Sequence, residues 1–206
     1  VDLGAGNDSV AGNTGNDSLT LGDGNDSATG DAGNDVISGG AGNDTVDAGA
    51  DNDVVTGGEG NDTLEGNAGN DNVDGGGGTD TLNGSAGTDT LSGGDGNDVV
   101  RGGAGTDFLR GGNDTDTFDF STGDSGTVAG TLDQILDWQS TDALHFGQGV
   151  ATDGVNYIEL TASTYDAALI LANTQIANGN NYVVIQVGSD TVVFVDTNGD
   201  NGPPED

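Results

Sequence analysis

The sequence predicts an all-β fold, a right-handed parallel β-roll over residues 1–118 followed by a small α+β capping region over residues 119–206. Three observations predict it: a nine-residue period held through thirteen consecutive units, an apolar residue fixed within each unit, and the end of both at Phe118. The period places an aspartate at Asp8, Asp17, Asp26, Asp35, Asp44, Asp53, Asp62, Asp71, Asp80, Asp89, Asp98, Asp107 and Asp116. Two residues after each stands Val10, Leu19, Ala28, Ile37, Val46, Val55, Leu64, Val73, Leu82, Leu91, Val100, Leu109 or Phe118. The unit reads G-G-x-G-[NT]-D-x-U-x, with U apolar, and self-similarity at a short fixed period is the mark of a stacked architecture.

Within each unit, x-U-x is long enough only for a short strand, and the remaining six residues read as a turn. Alternation along the strand sends U inward and its two neighbours outward. Two units complete a coil of eighteen residues, so like positions stack about 4.8 Å apart in parallel ladders. The array then forms about six and a half coils. Glycines at positions two and four of the turn, for example Gly40 and Gly42, permit positive φ and aim successive carbonyls toward one point. Carbonyl and carboxylate oxygens converging on one place suit a hard cation of flexible coordination, which favours Ca²⁺ over Zn²⁺ or Cu²⁺.

Thirty-six acidic residues stand against two arginines, for a formal charge of −34, while apolar residues make up 31% of the chain. Such a chain repels itself unless cations are bound. Stacked aspartates repel at about 1 kcal/mol per pair even in a water-like medium, and the apolar seam is thin. Folding and metal binding are therefore expected to be one event. The same charge excludes nucleic acid and an anionic membrane surface as partners, because phosphate contacts need Lys and Arg. With no cysteine, disulfides and thiolate metal sites are excluded. No apolar run reaches bilayer-spanning length, so no membrane insertion is expected. Val1 falls at the U position of a unit whose earlier residues are missing. The chain is thus expected to start inside an array, with any catalytic domain upstream.

The repeat pattern from Leu3 to Phe118 resembles the RTX (repeats-in-toxin) family, the calcium-binding nonapeptide repeats of proteins exported by bacterial type I secretion. The resemblance implies one calcium between turns two units apart, held by the motif aspartate and turn carbonyls of each. On one edge it pairs Asp8 with Asp26, Asp26 with Asp44 and so on to Asp116, and on the other it runs from Asp17 to Asp107, for up to about eleven Ca²⁺ ions. The carbonyls implied are those of Gly22, Gly24, Gly33, Gly40, Gly42, Gly58, Gly60, Gly69, Gly76, Gly78, Gly87, Gly94, Gly96, Gly103 and Gly105. Asp51 and Asp114 replace the glycine at position four, and Leu3, Leu21 and Ala48 replace that at position one, so sites at those turns are expected to be weaker. Ala28 at a U position is expected to leave a small void, and the first coils to be the loosest.

After Phe118 the composition shifts to Ile, Leu, Val and aromatics, as an open roll needs an end cap to cover apolar residues and free ladder edges. Ser163 and Asp166 resemble a capping box, with Tyr165, Leu169, Ala172 and Ile176 at helical spacing and Gly179 to close the helix. Tyr182 to Val187 and Thr191 to Val195 read as a β-hairpin around Gly188-Ser189-Asp190. Asp133-Gln134-Ile135-Leu136-Asp137-Trp138, followed by Asp142-Ala143-Leu144-His145-Phe146, is similar to the segment after the repeats in type I secreted proteins. Beyond Pro203-Pro204-Glu205-Asp206 a further strand and an uncleaved secretion signal are expected. Arg101, Arg110 and Phe108, at outward positions of the last units, read either as solvated residues or as a docking patch for the cap.

Other signals are weaker. Gly123-Asp124-Ser125-Gly126 has the look of a serine-protease nucleophile motif, but the chain's one histidine, His145, lies in a strand-like segment and reads as a packed structural residue. Asp196, Asn198 and Asp200 have the spacing of the start of an EF-hand loop without its helices, an extra calcium site or a polar loop. Ser9, Ser27, Thr45, Thr63, Thr81 and Thr117 form an outward hydroxyl row whose companion row is charged, and they read as solvated strand residues. Asn-x-Ser/Thr sequons follow from the repeat register.

The sequence therefore reads as a non-catalytic, calcium-dependent folding and type I secretion module, secreted or at a bacterial cell surface. Its expected partners are calcium ions and the exporter. Two alternatives stay open: the calcium-dependent, self-assembling part of an adhesin or S-layer protein, and the tail of a secreted hydrolase.

Overall fold

A nine-residue unit with one inward apolar residue buries that residue only by stacking like on like, and the chain does so. The computed structural model describes residues 1–120, 133–137, 139 and 141–146, together with the backbone of strands at 159–162, 182–187 and 190–195. Successive units alternate between two sheets. One holds, in order, β1 (Ser9–Ala11), β3 (Ser27–Thr29), β5 (Thr45–Ala50), β7 (Thr63–Ala68), β9 (Thr81–Gly87), β11 (Val99–Gly105), β13 (Thr117–Phe120) and β15 (Ala143–Phe146). The other runs β2 (Ser18–Asp23), β4 (Val36–Ala41), β6 (Val54–Glu59), β8 (Asn72–Gly77), β10 (Thr90–Asp95), β12 (Phe108–Asn113), β14 (Gln134–Ile135), β16 (Glu159–Ala162), β17 (Tyr182–Val187) and β18 (Asp190–Val195). Pairing within the array is parallel and one coil apart, as in Val46↔Leu64 and Val55↔Val73. The fold is a parallel β-solenoid with no helix among the described residues.

The two sheets share a single apolar cluster, in which every U residue from Leu19 to Phe118 is at most 2% exposed. Strands are longer than the expected x-U-x, running six or seven residues from β4 to β12. Alternation continues past U, so position one of the next turn is also inward, as the burial along Val36–Ala41 shows. Leu21 and Ala48, read from the sequence as weakening departures, are core residues at 0% exposure. Ala28 lies buried in the same cluster as Leu21. Burial thins toward Val1, where Leu3 and Val10 are only partly covered and β1 and β3 span three residues each.

The nine-residue period stops at Phe118, but the ladders continue. β14 adds to β12 with Phe108↔Gln134 and Leu109↔Ile135, and β15 adds to β13 with Phe118↔Leu144. β16 and β17 extend the ten-stranded sheet in parallel, and β17 and β18 then form an antiparallel hairpin with Val187 opposite Asp190. The hairpin expected from the sequence is present, with Asp190 inside its second strand. The helix expected near residues 163–179 and the 123–126 motif lie outside the described residues.

Candidate metal sites

Each turn of the roll stacks its motif aspartate on the next, eighteen residues away, and the two oxygens of the carboxylate have different fates. Oδ1 accepts the backbone N–H of the aspartate one coil earlier: Asp44 donates to Asp62, Asp62 to Asp80 and Asp80 to Asp98, each at 2.8 Å. The opposite edge repeats this with Asp53 donating to Asp71 and Asp71 to Asp89. Oδ2 is buried and has no hydrogen-bond partner at every motif aspartate from Asp8 through Asp98, and again at Asp116. From Asp26 to Asp116 these residues are at most 3% exposed. A buried carboxylate oxygen without a donor is costly unless a cation meets it.

Backbone carbonyls converge on the same space. A Cβ placed on Gly78 at position four would overlap the Gly60 carbonyl oxygen, and one on Gly76 at position two would overlap that of Gly58, so both carbonyls point toward the following coil. From the other side, a Cβ on Gly75 at position one would stand 2.5 Å from both Asp80 Oδ2 and the Gly93 carbonyl oxygen, so the position-one carbonyl points back toward the preceding coil. The gap between the Asp62 and Asp80 turns is therefore lined by the Gly58, Gly60 and Gly75 carbonyls and by Asp62 Oδ2. Among the described residues no three His, Cys, Asp or Glu side chains gather at one point. A cation there must take most of its ligands from carbonyls. That all-oxygen, carbonyl-rich set fits Ca²⁺ and gives Zn²⁺ or Cu²⁺ no nitrogen or sulfur donor.

Comparison with known families gives a match to the RTX calcium-binding nonapeptide repeat (4 copies), over residues 2–37, 20–55, 29–64, 49–82, 56–91, 83–118 and 92–125. The chain belongs to the RTX calcium-binding repeat family. Its repeat solenoid is a calcium-binding structural unit rather than a catalytic one. No curated protein sequence matches the chain. Among solved structures it is similar to a hyperactive, Ca²⁺-dependent, β-helical antifreeze protein from an Antarctic bacterium, at 25% identity with a TM-score of 0.28, covering 93% of this chain and 76% of that one.

Without a cation the RTX turns hold their carboxylates under strong electrostatic stress. Burial pushes the Asp89 carboxyl up to about 7, with the stacked Asp107 and Asp71 charges adding to the rise and the hydrogen bond from the Asp71 backbone opposing it. Burial likewise raises Asp53, Asp62, Asp98 and Asp116 to about 6, again against the backbone hydrogen bond and with neighbouring aspartates adding. Asp44, Asp71 and Asp80 are raised for the same leading reason.

All thirteen motif aspartates fall in the two stacks that the repeat register anticipates, Asp8 and Asp17 being only half-buried. The position-two and position-four glycines lie at positive φ, for example Gly40 at 114° and Gly42 at 126°. Asp51 and Asp114 keep that geometry at φ 79° and 77°, as a short polar side chain allows. Asp196, Asn198 and Asp200 lie outside the described residues. His145 is exposed rather than packed, with Nδ1 3.0 Å from Asp119 Oδ1 on the neighbouring strand. An outward position on an edge-facing strand leaves it to solvent.

Sequence reasoning missed three features of the RTX turns. Position one contributes a carbonyl, which the inward alternation of Gly75 and its equivalents could have suggested. Position five carries a side-chain ladder: Asn25 Oδ1 accepts the Asn43 N–H at 2.9 Å, Asn43 Oδ1 that of Asn61 at 2.9 Å, and Asn61 Oδ1 that of Thr79 at 2.8 Å. Both aspartate stacks also continue past the array, because Asp107 N–H donates to Asp133 Oδ1 at 3.0 Å and Asp116 N–H to Asp142 Oδ1 at 3.2 Å. The signal was present in the chain. Asp133 and Asp142 are nine residues apart, and each precedes an apolar residue by two, Ile135 and Leu144.

Proposed function

We propose that residues 1–118 bind calcium in the gaps between stacked turns, with the motif aspartates Asp8 to Asp116 and the turn glycine carbonyls as ligands, and that this binding drives folding of the roll outside the cell. The observation that carries the reading is the buried, unpartnered Oδ2 repeated in consecutive turns, facing carbonyls from the adjoining coil. A bound Ca²⁺ ion supplies the positive charge and coordination that these oxygens otherwise lack. With adjacent aspartates sharing ions, the thirteen turns offer up to about eleven interior sites. The chain is then a folding switch. Its charge of −34 keeps it extended at low cytosolic calcium, a form suited to a narrow type I exporter, and extracellular modules of roughly 10⁻⁴–10⁻³ M affinity fill only outside. Residues 119–206 serve as the capping, secretion-associated region.

Circular dichroism with excess chelator, followed by calcium return, tests the reading. The β signal is expected to collapse and recover, with Mg²⁺ substituting poorly because it requires tight octahedral geometry and keeps its waters. A β spectrum indifferent to chelator overturns it.

A further inference from the structure

From Asp133 the chain reads Asp-Gln-Ile-Leu-Asp-Trp-Gln-Ser-Thr-Asp-Ala-Leu, a degenerate unit that keeps the nine-residue spacing from Asp133 to Asp142 but is shifted by one residue from the phase of the array. Asp137, Trp138 and Ser140 stand where glycines occupy positions one, two and four, while Thr141 and Asp142 keep positions five and six. The stacking contacts of the interior are preserved: Asp142 Oδ1 accepts the Asp116 N–H, and the Ala143 N–H donates to the Asp116 carbonyl at 2.7 Å.

The gap itself differs. In earlier turns on this edge the position-two and position-four carbonyls point into the space between coils, as Gly94 does toward Gly112 and Gly78 toward Gly96. Here the Gly112 carbonyl accepts a hydrogen bond from the Gln139 side-chain amide, and the Asp114 carbonyl accepts one from the Thr141 hydroxyl at 3.2 Å. Asp142 Oδ2 accepts the Gln139 backbone N–H at 2.7 Å. The Asp137 carboxylate takes the N–H groups of Gly111 and Gly112, each at 3.0 Å. Of the four oxygens identified as lining an interior gap, these donors take two, which leaves Asp116 Oδ2 and the position-one carbonyl, here that of Asp137, against the six to eight that calcium requires.

We infer that Gln139 and Thr141 close this last gap in place of a cation, so that Asp137, Gln139, Thr141 and Asp142 dock on the turn of residues 111–116 without calcium. Two neutral donors meet the carbonyls that metal meets elsewhere. The junction is a calcium-independent end on a calcium-dependent stack. This rests on the reading that calcium fills the interior gaps.

Amide exchange followed by NMR on the full chain, as chelator lowers free calcium, tests both claims separately. The Gly58, Asp62 and Thr63 amides are expected to lose protection at the calcium midpoint. Those of Gly111, Gly112, Asp116 and Ala143 are expected to stay at least about tenfold protected, a margin of ~1.4 kcal/mol, below that midpoint. Combining Gln139→Ala with Thr141→Val removes the residual protection. Gln139→Glu, which exchanges a donor for a carboxylate, makes it calcium-dependent. Loss of protection at the junction together with the interior, or variants whose junction behaves as the parent's, overturns the inference while leaving calcium in the interior. Interior amides that stay protected in chelator overturn the interior reading and this one with it.

Discussion

The Asp62 backbone N–H donates to Asp80 Oδ1 at 2.8 Å, while Asp62 Oδ2 stays buried without a partner in the gap between the two turns. One carboxylate stack thus serves two purposes. Its first oxygens knit the coils together, and its second oxygens create an unmet negative charge in each gap, so the same residues stabilise the stack and make it conditional on a cation.

Position along the stack should set the effect of losing a ligand. Asp62→Ala removes a carboxylate shared by the gaps toward Asp44 and Asp80 and strands the buried Asp44 N–H. An unmet buried donor costs ~1–3 kcal/mol. The calcium midpoint is expected to rise by about tenfold, ~1.4 kcal/mol, whereas Asp8→Ala, at the half-buried end, shifts it little. Asp62→Asn keeps an oxygen for the hydrogen bond but loses the charge, and should fall between them. Equal midpoints for the Asp62→Ala and Asp8→Ala variants in a calcium titration would refute stacking of alternate units.

Two neighbouring glycines should respond differently to an added methyl group. Gly78 has φ +138° and faces the Gly60 carbonyl, whereas Gly77 has 3.5 Å of clearance to its nearest atom, Glu59 Oε2. Gly78→Ala is expected to lower stability by ~1–3 kcal/mol and to raise the calcium midpoint. Gly77→Ala should be neutral or stabilising by ~0.4–1 kcal/mol, through reduced unfolded-chain entropy. Thermal melts at fixed calcium distinguish the pair.

Acid should act in opposite directions with and without calcium. Asp53, Asp62, Asp98 and Asp116 titrate at about 6 in the metal-free roll and Asp89 at about 7, against 3.8 for an unperturbed aspartate. Between 3.8 and these raised values the folded form binds more protons than the unfolded one, so stability rises as pH falls. The burial cost is fully present above pH 7 and is relieved on the way down to pH 4. Chelated protein should therefore gain β signal between pH 7 and pH 5. The calcium midpoint should rise over the same interval, because protons then compete for the ligands. A midpoint independent of pH from 7 to 5 would contradict the assignment of these carboxylates.

The asparagine ladder should contribute stability without touching the ions. Asn61→Ala leaves the Thr79 N–H without its side-chain acceptor, at a net cost of ~1 kcal/mol. The number of calcium ions bound, measured by calorimetry, should stay unchanged while the melting temperature falls. A lost ion would place Asn61 among the ligands instead.

Period and chemistry were legible in the chain because each unit carries its own instruction. An aspartate every nine residues, with Val55, Leu64 or Val73 two places on, dictates which side chains turn inward and which coils adjoin. Less legible was the role of position one. A glycine there looks like turn chemistry, and only the length of strands such as Val36–Ala41 shows that alternation carries on into the turn and makes Leu21 and Ala48 core residues.

The sequence by itself determined the stacking period, the inward seam and the acidic, oxygen-rich character of the turns, since these depend on contacts between units that repeat identically. Only the tertiary structure decided which oxygen of each carboxylate is spent on the neighbouring coil, which carbonyls point forward or back, and where the stack ends. Asp133 and Asp142 reach Asp107 and Asp116 across 26 residues rather than eighteen. A register that skips an irregular segment is fixed by the hydrogen bonds and burial available at the open end of the roll, and these exist only once the last regular coil is in place.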